Sequence, residues 1–168
     1  MLNIEMDVSP EVKIAEEKIN RGDIDEAIKI LEIYLNEHPQ DYYAINKLGV
    51  AFVYNGKTNS AKECFYKAIE INPNFAPSYS NIGNLFTEEG KYEEALYWYK
   101  KALEIDPQFS SARTNLAHLY RVTGRIDMAV EELKRTYHRE NGKAGIARNW
   151  WLWILVVIAI IYFIYRGI

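Results

Sequence analysis

The chain has 168 residues, of which 49% are hydrophobic and 26% are charged, and its formal net charge is −3. This length suits one folded domain with a short additional segment, and the acidic balance argues against nucleic-acid binding, which favours a basic surface. The single cysteine, Cys64, excludes an internal disulfide and favours a reducing compartment.

After an N-terminal extension, residues 1–7, the chain repeats itself with a period of 34 residues. Glycines, alanines and prolines each recur at this interval. The recurring residues are Gly22, Gly56, Gly90 and Gly124; Ala27, Ala61, Ala95 and Ala129; and Pro39, Pro73 and Pro107. A period this strict indicates one supersecondary unit copied four times. Stacked units of this kind present a long concave surface, so the predicted function is binding.

Each frame divides into two helices at its glycine. The frames begin at Val8, Tyr42, Ala76 and Ser110, and apolar residues recur within each half at three and four positions, which is the helical period. The glycine supplies a turn conformation that other residues resist, and the proline ends the second helix. The sequence therefore predicts four antiparallel helix pairs.

Two positions of each frame predict how the paired helices pack. One position is small and lets the helices approach closely, and the other is large and fills the space between them. The small residues are Ala15, Gly49, Gly83 and Ala117, and the large residues are Leu31, Phe65, Tyr99 and Leu133.

This pattern resembles the tetratricopeptide repeat, most fully in the third frame. The matching residues there are Tyr79, Ile82, Gly83, Phe86, Gly90, Ala95, Tyr99, Ala102 and Pro107. The resemblance covers residues 8–141 and implies an all-α solenoid of four repeats, at about 8–41, 42–75, 76–109 and 110–143. It also implies that the protein recognises other proteins, without identifying them.

The end frames depart from the pattern, as terminal units that cap a linear array are expected to do. Lys18 stands where an aromatic residue is expected, and Asn141 stands where the proline should be. Because Asn141-Gly142 is itself a helix-stop signal, the last helix is predicted to end near His138.

A different kind of sequence follows the repeats. Residues 142–148 form a basic linker, and residues 150–165 contain no charged side chain. A helix of this segment would be about 24 Å long, somewhat short of the ~30 Å bilayer core, and aromatic residues lie at both of its ends, as they do at membrane surfaces. The sequence predicts a transmembrane helix at 149–165 that contacts lipid. The alternative, a helix that caps the last repeat, would need a polar face, which this segment lacks.

The flanking charges predict the orientation of this segment. Five basic residues precede it, from Lys134 to Arg148, and only Arg166 follows it within the short tail 166–168. The positive-inside rule places the repeats in the cytoplasm, as the N-terminal domain of a single-pass membrane protein. The N-terminus has no signal-peptide pattern, and the arrangement is similar to that of tail-anchored proteins.

In the repeat family, the first helix of each pair lines the concave face. The predicted peptide-binding residues on this face are Lys47, Asn81, Asn84, Asn115, His118 and Arg121. Amide side chains donate and accept hydrogen bonds, so a row of them can hold an extended peptide backbone, and Lys13 and Lys47 would favour an acidic ligand. The position occupied by Val12, Asn46, Ser80 and Thr114 is also expected to face the groove. The alternative is that these residues are merely solvated.

The sequence also argues against three other functions: binding of chaperone carboxyl termini, metal binding and phosphate binding. A clamp for chaperone carboxyl termini needs several cations that the concave positions lack. His38, His118 and His138 have no metal-ligand spacing. The strings Gly49…Gly56-Lys57 and Gly83…Gly90-Lys91 have glycines seven residues apart rather than five, which is not the spacing of a phosphate-binding loop. We therefore predict no catalysis, no metal and no cofactor.

These observations predict a membrane-tethered adaptor or scaffold. Its repeats would bind a partner protein or an extended peptide, and its tail would fix the location. The alternative is a fixed structural subunit or assembly factor of a membrane protein complex.

Overall fold

The computed structural model describes residues 8–142, with side chains to residue 135, and this part of the chain consists of eight α-helices and no strand. The helices are α1 Pro10–Arg21, α2 Ile24–Glu37, α3 Tyr42–Tyr54, α4 Thr58–Ile71, α5 Ala76–Glu88, α6 Tyr92–Ile105, α7 Ser110–Val122 and α8 Ile126–Gly142. The predicted division into four helix pairs is confirmed.

The helices stack as a solenoid of hairpins. The two helices of each pair contact each other, and the second helix of a pair contacts the first helix of the next. The first helices also contact one another in sequence, α1 with α3, α3 with α5 and α5 with α7. They therefore form one layer of the solenoid, and the second helices α2, α4, α6 and α8 form the other.

The repeated glycines and prolines set the ends of the helices. The glycines between paired helices have positive φ angles of 72° to 87°, a left-handed conformation that glycine adopts without a steric cost. Pro39, Pro73 and Pro107 each follow the end of a second helix by two residues. Each proline lacks a backbone N–H, so it cannot continue the helix.

The predicted large position forms the core of the first three repeats. Leu31, Phe65 and Tyr99 are 0%, 1% and 2% exposed, whereas Leu133 is 50% exposed. The first three are covered by the first helix of the following repeat. Within the described residues no helix follows α8, so the prediction that Leu133 fills a gap in the core is wrong.

The end repeats differ from the prediction in one further way. The last helix does not end near His138, because helical backbone continues to Gly142, across the Asn141-Gly142 pair that was expected to stop it. Without a proline at position 141, the helical hydrogen bonds up to this point are not interrupted.

In the first repeat, the Lys18 ammonium group lies 2.7 Å from Oε2 of Glu26. It also lies 3.6 Å from Oδ2 of Asp23. At the Lys18 position an ion pair to the start of α2 therefore replaces the expected aromatic residue.

None of the eight helices is long and apolar enough to cross a bilayer. The predicted transmembrane helix at 149–165 lies outside the described residues, as do the extension 1–7, most of the basic linker and the tail 166–168.

Candidate binding groove

A groove runs along the layer of first helices and holds two adjacent hollows. The first hollow, of about 270 Å³, lies between α1 and α3 and is lined by Glu16, Ile19, Asn20, Lys47, Val50 and Tyr54. The second, of about 260 Å³, lies between α3 and α5 and is lined by Val50, Val53, Tyr54, Asn81, Asn84, Leu85 and Glu88. Because Val50 and Tyr54 belong to both, the hollows form one continuous surface, which we call the groove.

Two of the residues that line the first hollow, Glu16 and Lys47, form an ion pair. The Lys47 ammonium group lies 2.6 Å from Oε1 of Glu16, and the Tyr43 hydroxyl donates to the same oxygen at 2.7 Å. Partial burial opposes ionisation of Glu16, but the hydrogen bonds from Lys47 and Tyr43 outweigh it, so the pKa of Glu16 is lowered. Likewise, burial opposes the charge on Lys47, and the bond to Glu16 outweighs it and raises the pKa of Lys47. Both groups are charged at neutral pH and compensate each other.

This pairing changes the expected electrostatics of the groove. Lys47 was predicted to attract an acidic ligand, but Glu16 neutralises its charge locally. Glu88, at the far side of the second hollow, is exposed and has no ion pair with any described residue. The second hollow therefore carries an uncompensated negative charge.

The amide of Asn81 joins the second hollow to the solenoid core. Asn46 is 3% exposed, and its Oδ1 accepts hydrogen bonds from the Ser78 hydroxyl and from Nδ2 of Asn81, both at 3.0 Å. An amide has two N–H donors and one carbonyl oxygen. Asn81 uses one donor for Asn46, and its oxygen and its second N–H have no hydrogen-bond partner among residues 8–135.

Asn84 has a different role from Asn81. Its Oδ1 accepts hydrogen bonds from the Tyr99 hydroxyl and from Nδ2 of Asn115, both at 2.8 Å. The Tyr99 hydroxyl also lies 3.1 Å from the Thr87 hydroxyl, and burial raises the pKa of Tyr99. The Asn84 oxygen is therefore committed to holding α5, α6 and α7 together, and only its N–H groups can serve a ligand.

The predicted site residues fall into two sets. Lys47, Asn81 and Asn84 line the hollows, and Asn115 adjoins them through Asn84. His118 and Arg121 are exposed on α7, beyond the hollows, and no described residue forms a hydrogen bond or ion pair with either. The polar surface therefore continues onto α7, but neither hollow reaches that helix.

One predicted groove position is wrong. Val12, Asn46 and Ser80 are 0%, 3% and 2% exposed, and only Thr114 in that position is exposed. The side chains of this position point toward the neighbouring helices. In the last repeat no described helix follows to cover Thr114.

Tyr54, Leu85 and Glu88 also line the hollows, although they were not among the predicted site residues. Tyr54 is 68% exposed, although it lines both hollows. The 34-residue period could have identified Tyr54 and Glu88. Asn20, Tyr54 and Glu88 occupy equivalent positions in successive frames, and Asn20 and Tyr54 both line the first hollow. Within residues 8–135, no group of histidine, cysteine or acidic side chains could hold a metal ion.

Stacked helical hairpins with a groove along one layer define a helical-repeat protein. Four family models match the chain: a TPR repeat over residues 83–124, and tetratricopeptide repeats over residues 12–41, 42–75 and 64–97. The chain belongs to the tetratricopeptide-repeat family. Repeats of this family form scaffolds for protein–protein interaction and are generally non-enzymatic.

Solved structures share this fold. A crystal structure of MamA is 24% identical, with a TM-score of 0.68, and the match covers 80% of this chain and 79% of that one. TTC0263, a thermophilic tetratricopeptide-repeat protein of Thermus thermophilus, is 21% identical, with a TM-score of 0.70 and coverage of 75% and 70%. At this level of identity the likeness shows the fold alone. No curated protein matches the chain.

Proposed function

We propose that the protein is a membrane-tethered adaptor that binds an extended peptide segment of a partner protein in the groove. The observation that carries this proposal is the continuity of the two hollows across three repeats, with amide groups beside an apolar floor. Asn81 offers a free carbonyl oxygen and an N–H group, as a peptide backbone requires. Val50 and Val53, which are partly exposed, offer apolar contact for ligand side chains.

The tether is proposed from the sequence. Residues 149–165 would cross the membrane once, with the repeats on the cytoplasmic side. A tethered groove meets its partner at a raised effective concentration near the membrane, so a modest affinity is sufficient.

A second candidate function is a fixed subunit of a membrane protein complex. It is favoured by the outer face of α8, where Ile126, Val130 and Leu133 are 53%, 43% and 50% exposed. These residues are spaced by four and three positions, so they share one face of the helix. Replacing residues 149–165 with an unrelated apolar span separates the two candidates. An adaptor keeps its function after this exchange, and a subunit that packs through its span loses it.

Binding in the groove is tested with the full-length chain in detergent. Random peptides displayed on phage are selected on the wild-type chain, and each enriched peptide is then measured against Asn81→Ala/Asn115→Ala. Ile33→Asp is the control, because Ile33 is 59% exposed on α2, outside the groove. We expect binding to fall at least ~10-fold, or about 1.4 kcal/mol, in the double variant alone. Peptides that bind all three chains equally would refute the placement of the site.

The tether is tested by extraction of membranes at alkaline pH. The wild-type chain should stay in the membrane pellet. Val157→Asp places a charge at the centre of the proposed span, at a cost of about 2.5–3.5 kcal/mol for insertion, and should release the protein. Release of the wild-type chain itself would rule out the tether.

A further inference from the structure

Two successive junctions between repeats carry different side chains at equivalent positions. Between repeats two and three, the ring centroid of Trp98 on α6 lies 5.7 Å from that of Tyr66 on α4 and 5.9 Å from that of Tyr79 on α5. One period of 34 residues later, the same positions hold Lys100, Arg113 and Glu132. At the junction of repeats three and four, three charged side chains therefore replace three neighbouring aromatic rings.

The charged junction borders a cleft between α6, α7 and α8. Its volume is about 360 Å³, within the range of ~300–1,000 Å³ that is typical of small-molecule sites. The cleft shares no lining residue with the two hollows of the groove, so it is a separate site. The lining residues that determine its chemistry are Lys100, Leu103, Pro107, Arg113, Tyr120 and Glu132.

Both carboxylates that line the cleft have basic partners. The Glu132 carboxylate lies 3.0 Å from Nη1 of Arg113 and 3.1 Å from Nη1 of Arg135. Oε2 of Glu104 lies 2.8 Å from the Lys101 ammonium group. The acidic groups of the cleft are therefore compensated without Lys100.

Lys100 supplies the charge that remains. Its side chain is exposed and forms no hydrogen bond or ion pair with any of residues 8–135. Because Arg135 also meets Glu131 at 3.3 Å, the other charges at the cleft balance one another. A single uncompensated positive charge favours a monovalent anion. A carboxylate carries one negative charge, whereas a phosphate monoester carries about −1.5 to −2 at neutral pH.

Two further features of the lining restrict the ligand. Tyr120 is 7% exposed, and its hydroxyl forms no hydrogen bond with the side chains or backbone of residues 8–135. A phenol hydroxyl can donate a hydrogen bond, so an acceptor oxygen in the cleft suits it. Leu103 is half-buried and Pro107 is exposed, and both offer apolar surface. Leu103 lies three residues after Lys100, on the same face of α6.

We propose that this cleft binds an organic carboxylate that carries an apolar group. The carboxylate pairs with the Lys100 ammonium group, the apolar group lies against Leu103 and Pro107, and the Tyr120 hydroxyl donates to a ligand oxygen. A free carboxylic acid and an acidic residue beside an apolar residue of a partner protein share this chemistry. The proposal depends neither on the groove nor on the membrane tether.

The test measures how tightly 3-phenylpropionate binds the full-length chain in detergent. Backbone amide shifts of α6 and α7 are followed by NMR during titration with this acid, with its neutral amide and with acetate, which lacks the apolar group. A peptide with blocked termini and one internal glutamate–phenylalanine pair forms a second arm. All variants are measured in the same detergent, so partition of a probe into micelles is equal for each of them.

Three variants and one control locate the site. Lys100→Gln and Tyr120→Phe should each weaken binding of the acid roughly threefold, as expected for one partly solvated contact. Lys100→Tyr/Arg113→Tyr/Glu132→Trp recreates the aromatic set of the preceding junction, so it should fill the cleft and abolish binding while circular dichroism stays helical. Lys67→Gln is the matched control, because Lys67 is an exposed lysine of α4 that does not line the cleft, and it should bind like the wild-type chain.

We expect the acid to bind at least about threefold more tightly than acetate or the neutral amide. Binding of the peptide at the same amides would identify a partner protein as the source of the carboxylate, and binding of the free acid alone would identify a small molecule. The proposal is wrong if neither probe shifts these amides, if the neutral amide binds as well as the acid, or if Lys100→Gln binds like the wild-type chain. Wild-type affinity in Tyr120→Phe would contradict the role given to the hydroxyl.

Discussion

A β-carbon added to Gly49 would lie 2.6 Å from Cε1 of Phe65, closer than real side chains approach. Gly83 and Tyr99 stand in the same relation one repeat later, also at 2.6 Å. The first repeat has Ala15 at this small position and pairs it with the smaller Leu31 at the large one. Within this chain, the two positions compensate each other in volume.

Gly49→Ala should therefore destabilise the array. Overpacking against the buried Phe65 ring costs about 1–3 kcal/mol, and the better helix propensity of alanine offsets about 1 kcal/mol of it. Adding Phe65→Leu recreates the Ala15–Leu31 pair, so the double variant should be more stable than the sum of the two single effects by about 0.5 kcal/mol or more. Urea unfolding followed by circular dichroism measures this coupling. Strictly additive effects would show that the ring does not restrict position 49.

Asn84→Ala should cost more stability than Asn115→Ala. Asn84 supplies the oxygen that accepts from both Tyr99 and Asn115, and losing it leaves a buried tyrosine hydroxyl with Thr87 as its remaining partner. We expect about 1–3 kcal/mol for Asn84→Ala. In Asn115→Ala, the Asn84 oxygen keeps its bond to Tyr99, so we expect less than about 1 kcal/mol. Thermal unfolding of the two variants in parallel checks this order, and equal losses would contradict it.

The Glu16–Lys47 pair should make stability depend on acid pH. Because the folded-state pKa of Glu16 is lowered, its contribution is complete above its ordinary pKa of about 4.5 and is lost as the pH falls through the folded value. In Glu16→Gln, the free energy of unfolding should fall less steeply below about pH 4.5 than it does in the wild-type chain. The effect should be about 1 kcal/mol or less, since the pair is partly solvated. Tyr43→Phe should give an intermediate profile. If the unfolding free energy of Glu16→Gln depends on acid pH as that of the wild-type chain does, the pair adds nothing to stability.

The pair between Arg113 and Glu132 should hold α8 to α7. The two side chains are 12% and 13% exposed, and Nη1 of Arg113 lies 3.0 Å from Oε2 of Glu132. Arg113→Ala removes this pair from a largely buried carboxylate, which keeps Arg135 at 3.1 Å from its Oε1, so we expect a loss of about 1 kcal/mol. The matched control is Arg125→Ala, which breaks the pair to Glu93, where the side chains are 41% and 69% exposed. We expect this control to cost about 0.5 kcal/mol or less. Hydrogen exchange of the α8 amides should report the difference, and equal protection in both variants would argue against the role of Arg113.

The sequence determined the repeat, the number of helix pairs and the position of each turn. These features depend on local properties: the left-handed φ of the turn glycines, the missing N–H of the prolines and the helical spacing of apolar residues. Because these local signals recur in successive repeats, each repeat supports the helix boundaries predicted for the others. The predicted frame starts therefore agree closely with the first residues of the observed helices.

Only the tertiary structure decided which polar side chains are free. Nothing in the sequence separates Asn81, whose oxygen has no hydrogen-bond partner among the described residues, from Asn84, whose oxygen accepts from Tyr99 and Asn115. The same holds for Lys47, which Glu16 compensates from a neighbouring repeat. Hydrogen bonds and ion pairs between repeats depend on the distances between side chains of neighbouring helices. The repeat pattern shows which residue types recur, but it does not show which side chains come into contact.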